Sequence, residues 1–315
     1  MAQVEKSHLD QALQNFSGYI AVDELYDDKY SVLSIVDNHI FERLICRVLG
    51  EQVTQADVRK LFEEFKQSLD QRKLSLAGIT TDGSNLYPAA IEEVLGKVPH
   101  QVCRFHVAST IAKAAREAVV HLYKQRKARL PKLKGGRPRR EEQERARQVR
   151  EESERLLKLY RLRYVLVARM PASEKLKEAL ELLQPYPEIA SIRDIMQQFY
   201  GLYTCPDTAT ALVKLGAIRQ QAAQLKDQKL GALQSALNGP CIEKSLVFLD
   251  DPSLPSTSNA VERSNRRYRK MQKSVYRVRS DRQLERRIAM DLLREQRALG
   301  REECVMALHE YRLAA

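Results

Sequence analysis

The chain has 315 residues, of which 43% are hydrophobic and 30% charged, enough to bury a core beneath a polar surface. Its net charge of +12 is unevenly placed, because residues 1–100 carry −6 and the remainder carries +18. This basic excess predicts a polyanionic partner, most commonly nucleic acid. No apolar run is long enough to cross a bilayer, and the five scattered cysteines argue against a disulfide framework. With no signal-peptide pattern, these features predict a cytoplasmic protein that has no membrane partner.

The first hundred residues alternate between short apolar runs and polar connections, a pattern typical of a mixed α/β domain. Three β-branched or alternating runs in close succession predict an antiparallel meander. Thr54 and Asp57 resemble a capping box and predict the start of a helix with one apolar face. The predicted order is therefore β-β-β-α-β-α-β. The predicted strands are 18–25, 30–37, 41–49, 76–81 and part of 98–107, and the predicted helices begin at residue 54 and cover 88–95.

Beyond Ala108 the apolar spacing becomes helical and stays so to about residue 237. Prolines predict breaks at 131–138 and 185–187, and a loop rich in Pro and Ser follows at 250–258. Final helices are predicted to continue to about residue 313. The fold class is α/β with a large all-helical insertion. The predicted segments are an N-terminal extension at 1–17, a first core part at 18–107, the insertion at 108–250 and a last core part at 251–315.

Three acidic residues stand out by their settings. Asp23 lies in an otherwise apolar strand, where a buried carboxylate needs compensation such as a metal ion. Asp82 ends a strand, the place where ligand-binding groups gather in open α/β sheets. Glu262 lies near the start of a helix that Ser258 can cap. Each has a structural alternative: a solvent-facing strand end for Asp23, a turn cap for Asp82, and a surface pair with an arginine one turn on for Glu262.

The helix of Glu262 separates into two faces at 100° per residue. One face is apolar and is predicted to pack through Val261, Tyr268, Met271 and Val275. The other face surrounds one acid with bases, an arrangement that suits a helix lying against a phosphate backbone. Residues of this second face are Asn259, Glu262, Arg266, Arg269 and Lys273, with Arg263 and Lys270 slightly further round.

The order of these features resembles the DDE transposases that carry an RNase H-like catalytic domain with an insertion, as in Mutator-like elements and related bacterial insertion sequences. The resemblance rests on Asp on the first strand, Asp after the fourth, a Cys-x-x-His on the fifth, and Asn-x-x-Glu-x-x-Asn on a late helix. It covers about residues 18–110 and 255–295. It implies an RNase H-like mixed sheet whose helical insertion precedes the last catalytic helix.

The resemblance also implies the chemistry. Asp23, Asp82 and Glu262 would form a catalytic triad that binds Mg²⁺ or Mn²⁺ for DNA cleavage and strand transfer. Cys103 and His106 would be structural or would contact DNA, since no second pair of ligands completes a zinc site. The partners would be the ends of a mobile element and its target DNA, and a homo-oligomer assembled on DNA is compatible with the resemblance. Only 17 residues precede Gly18, where such enzymes carry a DNA-recognition region, so a shortened form is expected.

Two basic segments are candidate DNA contacts. Residues 124–140 hold nine Lys and Arg without an acid, and their Gly-Gly and prolines predict a flexible arm or a solvated linker. Residues 263–279 hold eight without an acid and adjoin Glu262. The predicted DNA-binding residues are Cys103, His106, Asn259, Arg263, Arg266, Arg269, Lys270 and Lys273.

Three functional hypotheses remain open from the sequence. The first is a transposase, an enzyme of metal-dependent phosphoryl transfer on DNA. The second is a nucleic-acid-binding remnant that kept the fold and lost the chemistry. The third is a helical scaffold whose basic segments bind acidic partners, but this hypothesis leaves the first hundred residues unexplained.

Overall fold

A computed structural model of the chain describes residues 2–27, 30–133, 142–169, 173–225, 230–273 and 280–297. The chain divides into two compact units. The first unit combines residues 1–103 with 251–315, and the second is the continuous segment 104–250. The predicted continuation beyond residue 297 and the predicted packing of Val275 lie outside the described residues.

The first unit is a mixed α/β structure whose elements follow the predicted order. The helix α1 (Ala2–Ala12), which the sequence did not predict, precedes the first strand. The capping box at the start of α2 is present, with Thr54 and Asp57 bonding each other's backbone N–H. The helix predicted at 88–95 is a short α-helix followed by a wider π turn. The elements are β1 (Tyr19–Asp27), β2 (Tyr30–Asp37), β3 (Arg43–Leu49), α2 (Gln55–Gln71), β4 (Gly78–Thr81), α3 (Tyr87–Ala90) with its π turn (Ile91–Leu95), β5 (His100–Val102), α12 (Asn259–Gln272) and α13 (Asp281–Arg297).

The five strands form one mixed sheet in the order β3-β2-β1-β4-β5. Strands β1, β2 and β3 are antiparallel neighbours, as a meander predicts, whereas β4 and β5 run parallel to β1. In this register Ala21 pairs with Thr80, and Thr81 pairs with Val102. Continuing the register by a step or two puts Asp23, Asp82 and Cys103 at one level of three parallel strands. Residues 80 positions apart in sequence therefore lie level with one another, near the carboxyl ends of the parallel strands.

The two faces of the sheet are covered by different helices. On one face Ile20 and Val22 belong to a core with α2 and α3, including the buried Phe62, Phe65 and Tyr87. On the other face Ala21 and Val36 pack against Ala260 and Val261 of α12. Further along the same face, Leu25 and Val32 cluster with Tyr268 and with α13. Because side chains alternate along a strand, odd-numbered residues of β1 from Ala21 to Leu25 face α12.

The placement of the Cys-x-x-His pair on the fifth strand was wrong. Strand β5 ends at Val102, Cys103 follows it, and His106 lies in the first turn of a long helix, α4 (Arg104–Arg129). The reason is the apolar spacing: Val107, Ile111 and Ala115 are buried at intervals of four residues, so the end of the predicted strand belongs to the helical period. Phe105, which resembles a strand residue, is 64% exposed.

The second unit is helical throughout its described residues. No strand occurs among them, and no helix in the described part of the chain is long and apolar enough to span a membrane. Its core is lined by residues such as Ile192, Phe199 and Leu215, each fully buried. The helices after α4 are α5 (Gln143–Arg161), α6 (Arg163–Val167), α7 (Glu174–Leu183), α8 (Pro187–Leu202), α9 (Thr208–Ala223), α10 (Gly231–Leu237) and α11 (Cys241–Lys244).

The basic segment 124–140, predicted as a flexible arm or a solvated linker, begins inside a helix. Residues 124–129 form the last turns of α4, and the helix ends just before Pro131. Arg126 pairs with Glu188 through a nitrogen–oxygen distance of 2.7 Å. The first third of this segment is therefore helical and partly ion-paired, while residues 134–140 lie outside the described part.

Candidate functional site

Asp23 lies in the middle of β1 on the face that α12 covers. Its side chain is half-buried, and its Oδ2 accepts a hydrogen bond of 2.7 Å from the side-chain nitrogen of Asn265. Asn265 is only 4% exposed, so this bond is shielded from water. A charged acceptor in such a setting makes a stronger bond than a neutral one. The contact therefore helps to hold the Asp23 carboxylate in place.

Asp82 follows the last residue of β4 and begins a turn. Its Oδ1 accepts the backbone N–H of Ser84 at 2.8 Å, the local bond by which aspartate shapes a turn. Gly83 between them has a φ of +99°, a conformation that side-chain-bearing residues rarely adopt. The turn cap proposed as the alternative for Asp82 is thus present, and it also orients the carboxylate at the end of the strand.

Three carboxylates come together at the level where β4 ends beside β1. Each of Asp23, Glu24 and Asp82 offers an oxygen, and these oxygens lie within 4.8 Å of one another. Burial raises the pKa of Glu24 above its usual value, the hydrogen bond from Tyr87 lowers it, and the charge of Asp82 raises it further. Like charges this close repel one another, so the cluster favours a cation among its oxygens.

Glu262 lies near the end of the neighbouring strand, β5. It lies in the first turn of α12, is half-buried, and has a carboxylate oxygen within 4.8 Å of the Cys103 sulfur. The backbone N–H of Cys103 bonds the carbonyl of Thr81 at 2.7 Å, directly before Asp82. On the same helix, Asn265 stands three residues after Glu262 and contacts Asp23. Helix α12 therefore packs on β1 and β2, and its first turn brings Glu262 beside Cys103 at the end of β5.

The segment before α12 is tied to the sheet at several points. The Thr80 hydroxyl donates to the carbonyl of Pro255 at 2.8 Å, and the Asn38 side chain donates to that of Thr257 at 3.2 Å. Gly78 leaves room for Leu254, because a Cβ at that position would lie 2.6 Å from a Leu254 methyl carbon. These contacts determine where α12 begins. Contrary to expectation, the fully buried Ser258 side chain does not cap α12. The backbone of Ser258 has φ −88° and ψ 28°, outside the extended region that is typical of a capping residue.

The two predicted faces of α12 are distinct. Val261 is fully buried and Tyr268 is 6% exposed, which confirms the packing face at these positions. The predicted basic residues are exposed, and the guanidinium of Arg263 lies 4.5 Å from the centre of the Phe41 ring. No acid lies between Arg263 and Lys273, so the exposed face is positively charged. The exposed residues of this face are Asn259, Arg263, Arg266, Arg269, Lys270 and Lys273.

The remaining predicted residues, Cys103 and His106, fall in different units. Cys103 is fully buried at the end of β5, and His106 belongs to α4. Sequence reasoning did not select two residues that the structure places beside Asp23. Glu24 was not considered as a ligand, although a second acid within an apolar run could have indicated a site. Asn265 was part of the quoted motif, but its contact with Asp23 depends on folding of distant segments.

A family model described as transposase, of the DDE type and the ISL3 group, matches residues 20–288. The match covers the sheet, the helical unit, α12 and the first half of α13. No curated protein matches the chain significantly. The chain belongs to the ISL3 group of DDE transposases, and transposition of DNA is the function that this family supports.

Proposed function

We propose that this protein catalyses metal-dependent cleavage and strand transfer of DNA, with Asp23, Asp82 and Glu262 as its catalytic carboxylates. The observation that carries the proposal is the cluster of Asp23 and Asp82, whose oxygens lie within 4.8 Å of each other, beneath a helix that contacts Asp23 through Asn265 and carries Glu262 beside Cys103 at the end of the neighbouring strand. The strand order and the change from antiparallel to parallel pairing support an RNase H-like core. On this proposal residues 104–250 are the helical insertion of that core.

The residues present fit a hard divalent cation. Mg²⁺ and Mn²⁺ prefer oxygen ligands and are held by two or three carboxylates together with water. Asp23 and Asp82 supply such oxygens within 4.8 Å of each other, and Glu262 lies near the end of the neighbouring strand. When bound, divalent ions activate the attacking oxygen and stabilise the leaving oxygen of a phosphodiester.

The chain's own residues prepare the site for this chemistry. The Asn265 amide holds Asp23, and the Ser84 N–H holds Asp82, so neither carboxylate has to reorient when substrate arrives. The bases of α12 contact the phosphate backbone and bring a scissile bond next to the acids. Such contacts do not depend on base sequence, so the ends of the element and the target DNA can use the same face. Assembly of several copies on DNA, in the cytoplasm, is part of this proposal.

The proposal is tested with a change that removes one charge and keeps the shape of the side chain. Asp82→Asn is expected to lower Mn²⁺-dependent cleavage of DNA that carries the element ends by a factor of roughly 10² or more, the usual loss when one electrostatic group of a catalytic site is removed. The matched control is Asp70→Asn, because Asp70 is an exposed acid of α2. Cleavage is measured as nicked and linear product on a gel.

Two results would contradict the proposal. One is cleavage by Asp82→Asn at the rate of the wild-type protein. The other is a wild-type protein that binds DNA and never cuts it in the presence of Mg²⁺ or Mn²⁺, which would favour the non-catalytic DNA-binding hypothesis.

A further inference from the structure

Glu24 reaches the carboxylate cluster from an unexpected side. It follows Asp23 on β1, and adjacent side chains of a strand point to opposite faces. Asp23 accordingly faces α12, where it contacts Asn265, whereas Glu24 is directed to the face covered by α2 and α3. Nevertheless a carboxylate oxygen of Glu24 lies within 4.8 Å of oxygens of both Asp23 and Asp82. The longer side chain therefore bends toward the end of β4.

A buried tyrosine keeps Glu24 in this position. Tyr87 is the first residue of α3, its ring is fully buried in the core, and its hydroxyl donates to Oε2 of Glu24. Burial raises the pKa of Tyr87 well above its usual value, and the nearby acids raise it further, so the hydroxyl remains a donor at neutral pH. Glu24 is thus held by Tyr87 and also by a hydrogen bond with the Ser84 side chain, and a carboxylate has enough lone pairs to bind a cation as well.

This arrangement costs electrostatic repulsion, which a tyrosine–acceptor pair with a purely structural role could avoid. Three carboxylates near one another repel, and a partly buried Glu24 close to Asp82 adds to that repulsion. A tyrosine that only needed a partner for its hydroxyl could use a neutral acceptor. The use of a carboxylate aimed at two further carboxylates is explained if a cation joins them.

We propose that Glu24 is a further metal-binding carboxylate of this site and that Tyr87 is a positioning residue acting through it. The proposal rests on the proposed function, since it assumes that Asp23 and Asp82 bind a divalent cation. Tyr87 does not touch the cation. Its hydrogen bond holds the Glu24 carboxylate beside the other two acids. Removal of a group that holds a metal ligand in position typically changes metal affinity 10–100-fold.

The test measures Mn²⁺ affinity of the full chain by calorimetry, without DNA. Tyr87→Phe removes the hydroxyl and keeps the buried ring, and it is expected to weaken Mn²⁺ binding by roughly 10-fold. Glu24→Gln removes the charge and is expected to weaken binding by about 10–100-fold. The matched control is Tyr186→Phe, because Tyr186 is a buried tyrosine whose hydroxyl donates to Glu152 at 2.7 Å in the helical unit. This control is expected to bind Mn²⁺ as the wild-type protein does.

A second readout separates metal binding from a structural role. Glu24→Gln relieves charge repulsion, so we expect its metal-free melting temperature to equal or exceed that of the wild type, while the rise caused by added Mn²⁺ becomes smaller. A structural Glu24 would give the opposite result, a lower metal-free melting temperature with an unchanged rise. If Tyr87→Phe does not fold, Glu24→Gln alone decides the proposal.

Asp23→Asn distinguishes this inference from the function on which it rests. If Asp23→Asn loses Mn²⁺ binding while Glu24→Gln and Tyr87→Phe keep wild-type affinity, the roles of Glu24 and Tyr87 are wrong and the metal site remains. If the wild-type chain does not bind Mn²⁺, or Asp23→Asn binds it normally, the metal site itself is wrong and the inference falls with it.

Discussion

Asn265 is the residue that links the late helix to the first strand. Its amide donates to Asp23 at 2.7 Å from a position that is 4% exposed, and it stands one turn after Glu262. The contact joins two of the proposed catalytic elements through a single side chain. It therefore contributes both to the orientation of an acid and to the stability of the first unit.

Replacing Asn265 by Ala removes this bond and leaves the charge of Asp23 without that donor. We expect cleavage to fall by roughly 10–100-fold, as for other groups that orient metal ligands. The free energy of unfolding should fall by about 1.5–3 kcal/mol, the usual contribution of a hydrogen bond to a charged group. Asn238→Ala, at an exposed position of the helical unit, is the control for both measurements. Cleavage at the wild-type rate would show that Asn265 does not orient Asp23 for catalysis.

Single elements show where sequence patterns suffice and where they do not. The order of strands and helices along the first unit, the Thr54 capping box and the packing of Val261 follow from local periodicity and hydrogen-bonding groups, and the structure confirms them. The end of β5 was placed too late, because short apolar runs fit either period and Val107 belongs to the following helix. The spacing of residues also cannot reveal Tyr87 beside Glu24, since that contact requires the turn at Gly83 to return α3 to the sheet.

The exposed face of α12 leads to a prediction about salt. Each lost phosphate contact reduces the slope of log affinity against log salt by roughly 0.9, because one counterion fewer is released. Replacing Arg266, Arg269 and Lys273 by Ala should therefore weaken binding to any duplex and flatten the slope by about two to three units. The control replaces Lys60, Lys66 and Lys73, three exposed lysines, and changes the net charge equally.

Two outcomes of this salt titration are informative. An unchanged slope for the α12 variant would mean that α12 is not the face that binds DNA. An equal flattening in the control would mean that net charge, and not this face, determines the salt dependence.

At the scale of the whole molecule, the first unit is assembled from two segments that are separated by the helical unit. Ala260 and Val261 of the later segment fill the space above Ala21 and Val36 of the earlier one. A core shared in this way cannot form from residues 1–103 alone. The face of the sheet that carries Asp23 is therefore completed only when the later segment packs on it.

Val261→Ala tests this shared core. Shortening a fully buried side chain removes apolar contact and leaves a small cavity, so the free energy of unfolding should fall by about 2 kcal/mol. Val213→Ala is the matched control, because Val213 is 77% exposed on α9 and its change should cost less than about 0.5 kcal/mol. Urea denaturation measures both. Equal stability of the two variants would show that α12 contributes little to the core.

The division of the first unit has a consequence during protein synthesis. Ribosomes add roughly 5–20 residues per second, so the segment from 104 to 250 delays the late helix by on the order of ten seconds after Asp82 has emerged. Throughout that interval the nascent chain holds Asp23 and Asp82 but neither Glu262 nor the arginines that follow it. A polypeptide released before residue 262 would lack the third acid of the proposed triad. We therefore expect it to leave DNA near the ribosome uncut.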